Sequence, residues 1–223
     1  MRWSIKREIL PLGVMIALLV LSFYFYPGLP DTVASHFNSR GVPDGYMPKP
    51  QFFLLFGGLI AGLYLLLTFI PLIDPFWRKI QPRYGIFLMM RDLAMLFFLF
   101  MFVLAIVGAR TGALPVQALN IGFGLLFVLL GNWLPKLPRN FFFGIRTPWT
   151  LASEEVWKKS HILGGWLFVA GGIALIILSL FGANPVIALT VTLTPVVLVG
   201  AIIYPFALYK KLQKEGRMSA PEL

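Results

Sequence analysis

Cysteine is absent from the 223 residues, which excludes disulfides, thiolate metal sites and thiol redox chemistry. Charge is scarce as well. Only 13% of the chain is Asp, Glu, Lys or Arg, where a soluble domain has about a quarter. With 58% apolar residues, there is too little polar surface to cover a soluble globule. Two histidines and nine acids leave few candidates for acid–base or metal chemistry. What is plentiful is apolar sequence in blocks of about 20 residues, the length that crosses a bilayer core. The net charge of +10 would suggest nucleic acid on a soluble face. In a membrane protein it records topology and contact with anionic lipid instead, and no direct nucleic-acid partner is expected.

Six runs qualify as spans: 9–26, 52–73, 86–108, 116–134, 162–181 and 186–209. The first is too long, and lacks the small-residue cleavage site, for a removed signal peptide. The segments that hold the N-terminus, the second and fourth loops and the C-terminus carry 16 Lys and Arg, against 3 in the alternating set. The expected architecture is therefore an all-α integral membrane protein, a bundle of six transmembrane helices with both termini cytoplasmic. It forms a single membrane domain, 1–223, with an N-terminal helical hairpin over 9–73 around an outer loop at 27–50. All six tryptophans, from Trp3 to Trp166, fall near the inner boundary, which suits an amphipathic indole. Pro195 and Pro205 interrupt the last span, as a hinge or, more commonly, a static kink. Glycines 57, 58 and 62, and 164, 165, 171 and 172, read as close-packing surfaces.

The outer loop has Pro27, Pro30, Pro43, Pro48 and Pro50, too many for a long helix. Its SRGVPDGY stretch has the chemistry of consecutive turns, and interleaved apolar residues suggest a folded lid. His36, Asn38, Asp31 and Asp44 invite a metal reading, but one imidazole with scattered carboxylates falls short of three or four converging ligands. A hydrogen-bonded turn is the expected role. By the charge distribution, His36 and His161 lie on opposite faces, so no two-histidine site is expected, and neither metal nor cofactor.

The inner loop, 131–161, holds five basic residues, three tryptophans and three prolines. Thr150 or Ser153 is placed to cap a short interfacial helix, with Glu154 and Glu155 in its positive first turn. Trp157 and His161 share one side at four-residue spacing. Asn132 and Asn140 bracket Arg146, which is expected to meet lipid phosphate, a partner or an internal carboxylate. The loop reads equally as a folded plug or as a binding site. Arg91 and Asp92 are expected within the inner leaflet, at a cost of about 2.5–3.5 kcal/mol for an uncompensated charge at the deepest position. Arg91 is expected to snorkel outward, and Asp92 to find its donor in Arg146 or Asn132, because adjacent helical residues do not face each other.

The pattern GN–PK–RNFFFGIRTPWTL–SEEVW–K–H in this loop resembles the SdpI family of bacterial membrane proteins, with an SdpI-like segment over 116–181. The outer LP–HFN–G–PDGY pattern resembles the short domain of unknown function that often precedes that segment. The resemblance implies a multi-pass protein of the prokaryotic cytoplasmic membrane that confers immunity to a secreted, membrane-active peptide toxin. It also implies signalling, in which the protein detects the toxin and holds a cytoplasmic transcriptional repressor. His36, Asn38 and Asp44 outside, and Asn132, Asn140, Arg146, Trp149, Glu155, Trp157 and His161 inside, are then the candidate ligand or partner residues.

Two other classes compete. A small secondary transporter or peptide exporter would show intramembrane ionisable groups or paired broken helices, and Asp92 with the two last-span prolines is a meagre set. An intramembrane enzyme is the weakest reading. No zinc-protease, serine–histidine or phosphate-loop motif occurs, and Glu154-Glu155 lacks the arginine and distal histidines of CAAX-type proteases.

Overall fold

The computed structural model describes residues 5–217, so Arg2, Trp3 and the end of the basic tail, singled out from sequence, lie outside the described residues. Among the described residues, six helices are long and apolar enough to cross a membrane: Ile9–Gly28, Lys49–Ile73, Trp77–Thr111, Val116–Lys136, Glu154–Leu180 and Pro185–Lys214. Six such helices are what a six-span membrane bundle requires. Their regular parts are α1 (Ile9–Phe25), α2 (Lys49–Phe69), α4 (Tyr84–Thr111), α5 (Val116–Trp133), α7 (Glu154–Leu180), and α8 (Pro185–Pro195) continuing into α9 (Tyr204–Lys214). Short α3 (Trp77–Ile80) and α6 (Pro148–Ala152) lie in the connections. The chain divides into two compact units, one of residues 5–69 and 87–122, the other of 70–86 and 123–217.

In the first unit the outer loop forms a β-hairpin, β1 (Thr32–Phe37) antiparallel to β2 (Pro43–Pro48). Turn chemistry dictates it. Asn38 Oδ1 accepts from the backbone of Arg40 and Val42 at 2.9 and 3.1 Å. Gly41 takes the left-handed conformation, φ +79°, that closes the turn. The prolines that forbid a helix are tolerated because each strand has an edge free of ladder partners. Leu29 and Val33 are buried with Val14, Leu18, Phe52, Ile60, Met95, Phe102 and Ile106, so the hairpin shares the core of α1, α2 and α4. Leu114 N–H donates to Gly41 O at 2.8 Å, and Phe37 lies against Gly108, where a β-carbon would not fit.

The same unit buries a charge. Arg91 on α4 is fully inaccessible, not snorkelled. Its Nε donates to Asp92 Oδ1 at 2.8 Å, its Nη1 to Glu8 Oε2 at 3.2 Å and Thr68 Oγ1 at 3.1 Å, and its Nη2 to Arg7 O at 3.0 Å. Tyr64 O–H donates to Glu8 at 3.1 Å. Asp92 therefore takes its donor from the adjacent residue, contrary to the expectation that Arg146 or Asn132 supplies it. Arginine is long and forked enough to curl back to its neighbour while its other nitrogens reach two further elements.

In the second unit, α5 and α7 meet through glycine. A β-carbon on Gly131 would sit 2.6 Å from Gly165 O, and one on Gly172 would sit 2.5 Å from Gly124 O. Two such pairs, seven residues apart on each helix, let the backbones touch. Glycines 164, 165, 171 and 172 thus pack closely as expected. Glycines 57, 58 and 62 do not, since nothing lies within 4 Å of a β-carbon placed there.

Removing the guanidinium strands the two largely inaccessible carboxylates of Glu8 and Asp92. Arg91→Met should lower stability by about 3–5 kcal/mol, read as thermal unfolding in detergent. Adding Glu8→Gln and Asp92→Asn should restore most of the loss. No recovery in the triple variant would mean that Arg91 acts by packing rather than by pairing.

Candidate functional site

The inner loop, the richest segment of the sequence, folds onto the first turns of α7. Ser153 Oγ accepts from Val156 N–H at 3.4 Å and caps α7, so Glu154 and Glu155 occupy the first turn of the long helix itself. The expected interfacial helix is instead α6, capped by Thr147, which exchanges side-chain and backbone bonds with Thr150 in a capping box. Trp157 and His161 do share a face. Their rings stack at 4.0 Å and 22°, and both are buried.

His161 is held at both nitrogens. Ile145 N–H donates to its Nε2 at 3.1 Å, and its Nδ1 lies 2.8 Å from Trp157 O. An Nε2 that accepts is unprotonated, so Nδ1 carries the proton and donates to the carbonyl. Trp157 Nε1 donates to Leu137 O at 2.9 Å. Gly144, at φ +94°, lies so close to His161 that no β-carbon fits. Asn140 is buried and fully used: Nδ2 donates to Pro138 O and Phe143 O at 2.9 and 3.1 Å, and Oδ1 accepts from Phe142 N–H and Phe143 N–H at 2.9 and 2.6 Å. These three side chains supply the hydrogen bonds that an irregular, buried backbone needs.

Other candidates line the accessible rim. Arg146 is exposed and donates to Phe141 O at 2.6 Å. Asn132 is exposed at the end of α5. Trp149 meets Phe206 of α9 edge-on at 5.1 Å. Glu155 pairs with Lys159 at 2.7 Å and Arg217 at 3.0 Å, exposed contacts worth at most about 1 kcal/mol each.

Asp74, not singled out from sequence, is a main tether of the loop. It is buried, with Oδ1 accepting from Phe76 N–H and Oδ2 from Phe141 N–H, both at 2.7 Å. Phe76 then stacks on Phe141 at 5.3 Å and under the Arg139 guanidinium at 4.7 Å. Glu154 receives Lys79 at 2.8 Å and Arg139 at 3.4 Å. An isolated acid directly after an apolar run, followed by Pro75, was the available signal. Its value depended on a partner 67 residues away.

In the first unit, His36 Nδ1 and Asp44 form a short pair across the hairpin, and Asn38 is the turn-forming residue described above. His36 is exposed, with 74% of its side chain accessible, so the pair is available to a ligand. Among the described residues, no group of three His, Cys, Asp or Glu is arranged to hold a metal ion.

A family model described as the SdpI/YfhL protein family matches residues 136–209. A second, for the domain of unknown function DUF1648, matches residues 13–61. The chain is similar to the immunity protein SdpI of Bacillus subtilis (strain 168), at 23% identity over 207 residues, which covers 93% of this chain and 98% of that protein. No solved structure matches the chain. The first match contains Asn140, Gly144, Ile145, Trp157 and His161, the residues that close the inner loop, whereas the second ends inside α2 and takes in the whole outer hairpin.

Asn140→Ala would strand buried backbone groups at about 1–3 kcal/mol each, so a thermal midpoint well below native is expected. Arg146→Gln, on the rim, should leave the midpoint nearly unchanged. Equal losses in a side-by-side melt would contradict the division between holding residues and displayed residues.

Proposed function

We propose that the chain, which matches the SdpI/YfhL family model over residues 136–209 and the DUF1648 model over residues 13–61, is a non-enzymatic membrane immunity and sensor protein directed at a membrane-active peptide toxin. The relative that it resembles over nearly its full length is an immunity protein. One observation carries the reading furthest. Asn140, Trp157 and His161, buried in the matched segment, spend their polar groups on backbone, and Arg146 is left exposed. Catalysis needs a base within reach of a substrate, and His161 has both ring nitrogens engaged. A folded surface suits recognition.

In this reading the hairpin faces outward and the inner loop faces the cytoplasm, with both termini on the inner side, as the distribution of Lys and Arg favours. His36, Asn38, Asp44 and Tyr46 meet the toxin. Arg146, Trp149 and Glu155 meet a cytoplasmic partner, a transcriptional repressor in the fullest version. Detection requires the toxin to bind one arrangement of the protein better than another, since a ligand that binds two states equally shifts nothing. Transport by way of the intramembrane charges gains little support, because Arg91 spends its donors on Glu8, Asp92, Thr68 and the Arg7 carbonyl. That set staples three elements together and lines no path.

Expression in a toxin-sensitive bacterium, challenged with a panel of membrane-active peptides, should raise survival for at least one of them. His36→Ala with Asp44→Ala should remove that protection without lowering the amount of protein in the membrane. Unchanged killing by every peptide would contradict immunity. Protection accompanied by movement of a labelled peptide across reconstituted vesicles would replace it with export.

A further inference from the structure

The last span contains an irregularity that neither the family matches nor the immunity reading explains. Between α8 and α9 the chain forms eight residues of π-helix, Val196–Ile203. Tyr204 N–H bonds Val199 O, five residues back, whereas Val196 N–H bonds Leu193 O, three residues back. The helix is therefore overwound at Pro195 and underwound directly after it. The prolines account for this. Pro195 and Pro205 offer no N–H, so the ordinary ladder lacks a donor at each edge of the segment. Runs of π-helix are rare and cost hydrogen-bond geometry, and they concentrate at functional positions.

Packing holds the two sides of the segment by different contacts. On the α8 side, a β-carbon at Gly171 of α7 would lie 3.2 Å from Thr192 O and 3.3 Å from Val196 Cγ2, and Asn184 caps the start of α8 with bonds to Val186 N–H and Ile187 N–H at 3.1 and 3.2 Å. Within the segment, a β-carbon at Gly200 would lie 3.1 Å from Leu167 Cδ1 and 3.5 Å from the Gly164 Cα. The Leu167 side chain therefore packs on Gly200, with the Gly164 backbone just beyond it. Val197, Leu198, Ile202 and Ile203 are exposed, facing where lipid would be. On the α9 side, Pro205 and Leu212 are buried, Phe206 meets Trp149 ring to ring, and the exposed Arg217 pairs with Glu155.

We propose that Val196–Ile203 is a rotary joint, and that α9 turns against α7 there while α8 stays fixed. Relaxing one wide turn to α-helix rotates everything beyond it by about one residue's arc, roughly 100°. Phe206 leaves Trp149, and the family loop loses its cover from the last span. The outer half of the same helix keeps its seat on Gly171. The joint gives the sensor reading its means of changing the inner surface and rests on that reading for its purpose, but its existence is separately testable.

The chain has no native cysteine, so spin labels can be placed at will in the full-length protein in lipid nanodiscs. One pair, Lys158→Cys with Lys210→Cys, reports α9 against α7. The other, Ile177→Cys with Ile187→Cys, reports α8 against α7. The native background should show two distance populations for the first pair and one for the second. Pro195→Ala, which returns the missing donor, should change the ratio of the first pair's populations by at least about twofold and leave the second pair alone. Deletion of Leu198 is the alternative means of relaxing the segment if that variant folds poorly. A single inner-pair distance in the native background that neither change displaces would overturn the joint, as would equal movement of both pairs. No peptide toxin enters the experiment, so a negative result leaves the immunity reading standing, and a failed killing assay leaves the joint standing.

Discussion

The hydrogen bond from Ile145 N–H to His161 Nε2 is the contact on which the inner loop depends. A chain that leaves a helix while still buried must satisfy its freed backbone groups inside the protein. Between α5 and α7 the loop passes Pro135, Pro138 and Pro148, and no regular ladder is available to it. One imidazole accepts from the loop and donates to its own helix, and Trp157 beside it secures Leu137 O. Ile145 then inserts its side chain against Gly164, three residues beyond the histidine. The loop is fixed to α7 by a hydrogen-bonded ring, a stacked indole and a glycine socket in adjacent turns.

The first unit solves a related problem with charge. Arg91 brings its positive charge to Glu8 and Asp92 and ties the start of α1 to α2 and α4. Buried ion pairs are weak sources of net stability, so their value lies in fixing one arrangement of the elements that meet there. The hairpin completes this unit by sending Val33, with Leu29 just before it, into the core, while alternate residues of its second strand stay exposed. Both non-helical parts of the molecule are therefore committed to structure on one side and open on the other, the form expected of surfaces that recognise something.

Much of this was legible in the sequence. Six apolar runs gave six long helices, because span length follows from bilayer thickness and little else. The turn residues Asn38 and Gly41 marked where the outer loop closes, although the strands on either side were not foreseen, since their alternation is masked by five prolines. The shared face of Trp157 and His161 was legible from their spacing, but their role with Asn140 as internal fasteners needed coordinates: sequence spacing shows which residues share a helix face and not which backbone amide comes to meet them. Glu8, Tyr64, Thr68 and Asp74 were missed for the same reason, each being ordinary until its partner, many residues away, is in place. The expectation for Asp92 failed in an instructive way. The rule that neighbours on a helix do not face each other holds for Cβ directions, and the length of an arginine side chain escapes it.

The irregularity of the last span follows from the same physics. Two prolines deprive its ladder of donors and the ladder widens to π spacing between them, while beyond the second proline Leu212 is buried and Phe206 meets Trp149. A rigid loop packed beside an irregular helix is an arrangement in which a small change in one span alters the exposed surface without unfolding the core.

The nitrogen chemistry of His161 tests the central claim most directly. In protein carrying nitrogen-15 histidine, long-range proton–nitrogen correlation distinguishes the two neutral tautomers of the imidazole. The account predicts the Nδ1–H form, with Nε2 unprotonated and coupled to the Ile145 amide. An Nε2–H ring, or one protonated at both nitrogens, would contradict it, because neither can accept the bond that fastens the loop.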